Sequence, residues 1–100
     1  MAKSLLIVIV EQLHESSVID ALRKVEVKRF TRVLGTGGGI REKLNRPVDI
    51  VKAVLICEIE DSTTSAVFES LVANAKLDVP GRGIAFTMPL ECGLLFGMNS

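Results

Sequence analysis

The sequence predicts an α+β sandwich, a four-stranded antiparallel sheet with two helices on one face in the order βαββαβ. Three observations lead there. Four short stretches rich in Val, Ile and Leu have the length and β-branched content of strands. Two stretches between them place apolar residues at helical spacing. The pattern of strand, helix and strand then occurs twice, in halves of similar length.

Residues 4–10 open the chain with the run Leu5-Leu6-Ile7-Val8-Ile9-Val10, a strand buried on both faces, and residues 11–15 form a polar turn. Ser17 offers an N-cap with Asp20 three positions on, and Val18, Ile19, Leu22 and Val25 follow as the apolar stripe of a helix over 17–25. Residues 27–34 alternate as a second strand, with Val27, Thr31 and Val33 on one side and Lys28, Phe30 and Arg32 on the other. Residues 35–47 hold four glycines, four charged side chains and a proline without an apolar period, and read as an exposed, mobile loop. Strand character returns over 48–60, nearly continuous in apolar residues across 51–59 apart from Lys52 and Glu58. Asp61-Ser62-Thr63-Thr64 is a cap cluster, and Val67, Phe68, Leu71, Val72 and Ala75 make the stripe of a second helix. Val79-Pro80-Gly81-Arg82-Gly83 breaks the pattern, after which residues 84–88 form a fourth strand ending at Pro89. Two such βαβ halves define the ferredoxin-like sandwich, here as one domain over residues 1–100.

That architecture leaves one sheet face bare. Several strands are nonetheless apolar on both faces, so the second face needs a cover, most simply further copies of the chain in a closed homo-oligomer. The core must be aliphatic, because 48% of residues are hydrophobic while Phe occurs four times and Trp and Tyr not at all.

Composition excludes several classes of function. Twelve basic and twelve acidic residues cancel, so the broad positive field of a nucleic-acid binder is absent. No apolar run approaches the roughly 20 residues that span a bilayer, and the six-residue run at 5–10 meets Glu11 with no cleavage site, which predicts a cytoplasmic chain without membrane insertion. Cys57 and Cys92 stand in apolar surroundings without CxxC or Cys/His spacing and read as buried thiols. His14, the one histidine, lies between Glu11 and Glu15 on a turn, which reads as surface and not as a metal site. With no nucleophile, base and acid at recognisable spacing, the chain is expected not to be an enzyme.

Two glycine-rich segments carry the chemistry. Thr31-Arg32-Val33-Leu34-Gly35-Thr36-Gly37-Gly38-Gly39-Ile40-Arg41 runs from a strand through backbone free of side chains to a basic residue, and Gly81-Arg82-Gly83 repeats the theme on a turn. Exposed N–H groups and arginine forks favour an anion.

These segments, collinear along the whole chain, resemble the PII-like family of trimeric signalling proteins. The first is similar to the start of the long T-loop of PII nitrogen regulators, and its Thr36-Gly37-Gly38 with Arg41 is similar to the cyclic-di-AMP receptors of the same superfamily. Gly81-Arg82-Gly83 with Ile84-Ala85-Phe86-Thr87-Met88-Pro89 resembles the family's B-loop and the strand that leaves it. The resemblance implies a homotrimer with a flexible T-loop equivalent at about 35–47, no cofactor, and a small-molecule ligand such as ATP, ADP, AMP or a cyclic dinucleotide in clefts between subunits. By the same resemblance the ligand-binding residues are Thr31, Thr36, Gly37, Gly38, Gly39, Arg41, Gly81, Arg82 and Gly83, and a protein target docks on the T-loop. The chain departs from the family at Ile84, where a B-loop lysine is usual, at Glu42-Lys43-Leu44-Asn45, and in having no tyrosine and no basic C-terminal loop. Two other readings share the fold: a metal-binding trimer resembling the divalent-cation-tolerance proteins, and a structural oligomerisation domain.

Overall fold

The computed structural model describes residues 2–41 and 46–90, the side chains of 38–49 excepted. The chain runs β1 (Lys3–Glu11), a 3-10 turn (Gln12–His14), α1 (Glu15–Lys24), β2 (Thr31–Arg41), β3 (Arg46–Glu60), a second 3-10 turn (Asp61–Thr63), α2 (Thr64–Ala75) and β4 (Gly83–Leu90). The sheet order is β2-β3-β1-β4 and every neighbouring pair is antiparallel, the expected sandwich.

The core follows from two periodicities meeting. Leu6, Val8 and Val10 alternate along β1, Ala53, Leu55, Cys57 and Ile59 along β3, and both rows face Val18, Ala21 and Leu22 of α1 and Val67, Leu71 and Ala75 of α2. The helices touch through a polar seam as well. Ser70 Oγ donates to the Ala21 carbonyl at 2.6 Å, Asn74 Nδ2 donates to Ser70 Oγ at 3.0 Å, and Lys24 Nζ donates to Asn74 Oδ1 at 3.0 Å. The buried hydroxyl is thereby satisfied.

Four details differ from expectation. The first helix begins at Glu15 and not at Ser17, with His14 at its N-cap and no side-chain capping bond. Its start is fixed by a tertiary contact, because the buried Glu15 carboxylate takes both Nε and Nη2 of Arg32, the latter at 2.9 Å. β2 begins at Thr31 and not at residue 27. Helix α1 closes through Glu26 N–H to the Arg23 carbonyl and Val27 N–H to the Leu22 carbonyl, with Glu26 at φ 66°, so the Val27 donor is already used.

The third difference matters most. Where a loop was expected over 35–47, residues 35–41 and 46–47 are strand, paired in register from Gly35↔Lys52 to Arg41↔Arg46. β3 is fifteen residues long and β1 nine, so beyond Glu11↔Lys52 only β2 accompanies it among the described residues. The β2–β3 ribbon therefore projects past the body of the sheet by about 20 Å at roughly 3.3 Å per residue. Last, β4 extends from Gly83 through Pro89 to Leu90, and it tolerates a proline because it is an edge strand.

Among the described residues nothing covers the face opposite the helices. Ile7 lies in one row with Ile56 and Phe86, Ile9 with Val54 and Ile84, and Leu5 with Met88. Val33, Ile84 and Met88 there are about half exposed, at 48%, 54% and 46%. An apolar sheet face of this extent is unusual for a free surface.

Candidate ligand site

Of the nine residues singled out by sequence, Thr31 stands at mid-sheet and the other eight fall into two groups at or beyond one end of the sheet. Thr31 starts β2 on the uncovered face opposite Ile56. In the first group, Thr36 pairs with Val51 on the helix side beyond the helices. Gly37, Gly38, Gly39 and Arg41 pair with Ile50, Asp49, Val48 and Arg46 in the ribbon. In the second, Gly81 turns the chain at φ +83°, Arg82 N–H donates to the Val79 carbonyl at 3.1 Å, and Gly83 enters β4 opposite Val10.

The groups share a sheet level but not an edge. Gly35 is level with Lys52, and Lys52 with Glu11, while Val10 pairs with Gly83, which sets Arg82 level with Glu11. Between the Gly35 edge and the Arg82 edge lie β3 and β1, a separation of about 14 Å at roughly 4.8 Å per strand. One chain therefore does not bring the two segments together.

The glycines have unequal reasons to be glycine. A Cβ on Gly83 would stand 2.5 Å from Val10 Cγ1 and 2.7 Å from the Ile9 carbonyl oxygen, so packing excludes a side chain. A Cβ on Gly37 would meet only Lys52, with Cε at 2.7 Å, and one on Gly35 would meet nothing within 4 Å. The bare glycine backbone thus lets the Lys52 stem lie over the ribbon on the uncovered face.

Arg82 is oriented from outside its own turn. Its Nη1 donates to His14 Nδ1 at 2.9 Å, across the junction between β1 and α1. This interaction fixes the tautomer at that contact and aims the guanidinium fork. The histidine that the sequence reading placed on the surface is thus in contact with Arg82. Lys52 and His14, neither singled out by sequence, lie beside residues that were. Lys52 left a signal, a charge interrupting an apolar strand, whereas nothing local ties His14 to a position 68 residues away.

Concavities lie elsewhere among the described residues. A cleft of about 420 Å³ lies between residues 25–29 and the end of β3, and a groove of about 570 Å³ runs along α2 past Phe68 and Val72. Neither is lined by the glycine segments. Among the described residues no three His, Cys, Asp or Glu side chains gather to hold a metal, and no helix is long and apolar enough to cross a membrane. Cys57 is buried and unbridged, with its thiol pushed up to about 11 by desolvation; Cys92 and residues 42–45 lie outside the described residues.

This sandwich, with its long β2–β3 ribbon, has the PII-like fold. It matches the structure of Bacillus subtilis GlnK in complex with ATP at a TM-score of 0.71, with 15% identity over 89% of this chain and 82% of that one. Arabidopsis thaliana PII bound to citrate matches at 0.63, with 19% identity over 88% of this chain and 74% of that one. A Bacillus cereus protein related to NIF3 matches at 0.72 and 15% identity over 91% of this chain but 26% of its own, so there the fold is one part of a longer chain. No protein-family model matches the sequence, and no curated protein does.

Proposed function

We infer that the protein is a ligand-sensing regulator of PII type, a homotrimer that takes a small polyanion, an adenine nucleotide or nucleotide second messenger, between subunits. One observation carries this reading: the two glycine segments stand at the same end of the sheet on opposite edges, beside an uncovered apolar face. A head-to-tail ring sets one edge of each copy against the other edge of the next, and three copies close it. The ribbon base of one subunit, with Gly35 to Gly39 and Lys52, then faces Gly81, Arg82 and Gly83 of its neighbour. Arg82, aimed by His14, stands in for the lysine that the resemblance expects at Ile84. The known structures of this fold support a polyanion, since GlnK was captured with ATP and Arabidopsis PII with citrate.

Signalling follows from the ribbon. Contacts made at its base by a ligand bias the whole projecting segment, and a protein target that reads the segment distinguishes bound from free. The test is sedimentation of the purified chain followed by calorimetric titration with ATP, ADP, AMP, cyclic dinucleotides and citrate. Binding by an assembled trimer, weakened by Arg82→Ala, is expected. Silence across the panel from an intact trimer overturns the ligand reading and leaves a structural oligomerisation domain. Stoichiometric copper or zinc in protein purified without chelator would instead favour the metal-binding trimer.

A further inference from the structure

We propose that binding of a polyanion at Arg82 loads a proton onto His14, which becomes the second cation of the site; this rests on the ligand site inferred above and makes that site sensitive to pH. Arg82 Nη1 and His14 Nδ1 stand 2.9 Å apart and part-buried, although 68 residues separate them along the chain. A guanidinium stays charged and only donates, so the contact requires a neutral imidazole whose proton sits on Nε2. An imidazolium would have no lone pair to offer and would set two like charges at hydrogen-bond distance. The contact as it stands is therefore that of a neutral histidine, and it occupies one arm of the arginine fork.

A phosphate group takes both arms of an arginine in two parallel hydrogen bonds. The Nη1–H···Nδ1 bond then breaks, and the Nδ1 lone pair is left beside an anion. A proton from solvent water fills it, so that Nη1–H and Nδ1–H both donate to phosphate oxygens and two cations face the ligand. The other charged groups around the histidine are Glu11 at the end of β1, Glu15 at the start of α1, Lys52 on β3 level with Glu11, and Asp78 in the segment leading to Arg82. Glu15 is already engaged by Nε and Nη2 of Arg32, while Glu11 and Lys52 are cross-strand partners on the other sheet face. Carboxylates ordinarily titrate near about 4 and an imidazole near about 6.5, so the histidine is the group that changes charge across the physiological range. By linkage the affinity rises as pH falls, by at most about tenfold per pH unit for one proton.

Calorimetric titration of the assembled protein with ATP and with inorganic tripolyphosphate, in two buffers of unlike ionisation enthalpy, counts the protons taken up. An ordinary imidazole brought beside an anion gains about half a proton at about pH 7, so native protein is expected to take up about half a proton more than His14→Gln. Glutamine keeps an oxygen for Arg82 to donate to but takes no proton, and only the difference counts because a terminal phosphate itself titrates near about pH 6. Between about pH 8 and pH 6 the affinity should tighten roughly fivefold more in native protein than in the variant. The single histidine also gives one imidazole C2–H resonance, and its titration is expected to move to higher pH when tripolyphosphate is added, a readout that needs no variant. Binding with equal proton uptake in the two proteins, or a C2–H titration that tripolyphosphate leaves in place, overturns the proton gate and leaves the ligand site standing. Failure of an intact trimer to bind either polyanion overturns both.

Discussion

Alanine substitutions at two glycines, Gly83 and Gly37, separate what packing demands from what a ligand would demand. At Gly83 the new methyl would lie 2.5 Å from Val10 Cγ1, 2.7 Å from the Ile9 carbonyl oxygen and 3.3 Å from Leu77 Cδ2. Ordinary carbon contacts are about 3.5–4.0 Å, so β4 must retreat by roughly 1 Å from a fully buried residue and a ladder carbonyl. Overpacking of this kind costs about 1–3 kcal/mol; the involvement of backbone puts Gly83→Ala toward the upper end, about 2–3 kcal/mol. For a domain of this size each kcal/mol moves Tm by about 4–8 °C, so a fall of roughly 10–20 °C is expected. At Gly37 the methyl meets only the flexible Lys52 side chain, which can swing away. There the loss of glycine's backbone freedom offsets the contact, and Gly37→Ala should lie within about 0.5 kcal/mol of the native protein. The assay is thermal and denaturant unfolding by circular dichroism at fixed protein concentration, since association shifts Tm. A Gly83→Ala protein as stable as the native one, or a Gly37→Ala protein as damaged as Gly83→Ala, would refute the packing argument.

Three more outcomes are expected. Arg32→Met leaves the buried Glu15 carboxylate without its bidentate donor and should cost about 1–2 kcal/mol, discounted because the arginine is itself part-exposed; denaturant midpoints of Arg32→Met and of the Glu15→Gln/Arg32→Met pair decide, the double change being the milder. Glu26→Gly removes the strain of a left-handed residue at the end of α1 and should stabilise by about 1 kcal/mol, read from the same midpoints. The Cys57 thiol titrates near 9 when unfolded and near 11 when folded, so the native state holds its proton more tightly and stability falls as pH rises from 9 to 11; in Cys57→Ala that alkaline decline should flatten, as unfolding at a series of pH values will report.

Much of this was legible because it is local. The alternation in β1 and β3, the stripe through Val18 and Leu22, and that through Val67, Leu71 and Ala75 identify the core residues without coordinates. The glycine-rich stretch was misjudged for a physical reason. Glycine has low intrinsic strand preference, but β3 supplies a continuous ladder from residue 46 onward, and pairing overrides propensity. Nor does the sequence announce that the Glu15 carboxylate awaits Arg32 and thereby draws the helix start back from Ser17.

By itself, then, the sequence determined the element order, the aliphatic core and the two glycine-bearing segments, since these depend on spacing within a few residues. Only the tertiary structure decided that the segments lie level on opposite sheet edges, that Arg82 is aimed by His14, and that the expected loop is a projecting ribbon. Strand order and register set each of these, and they join residues too far apart along the chain for any local pattern to encode.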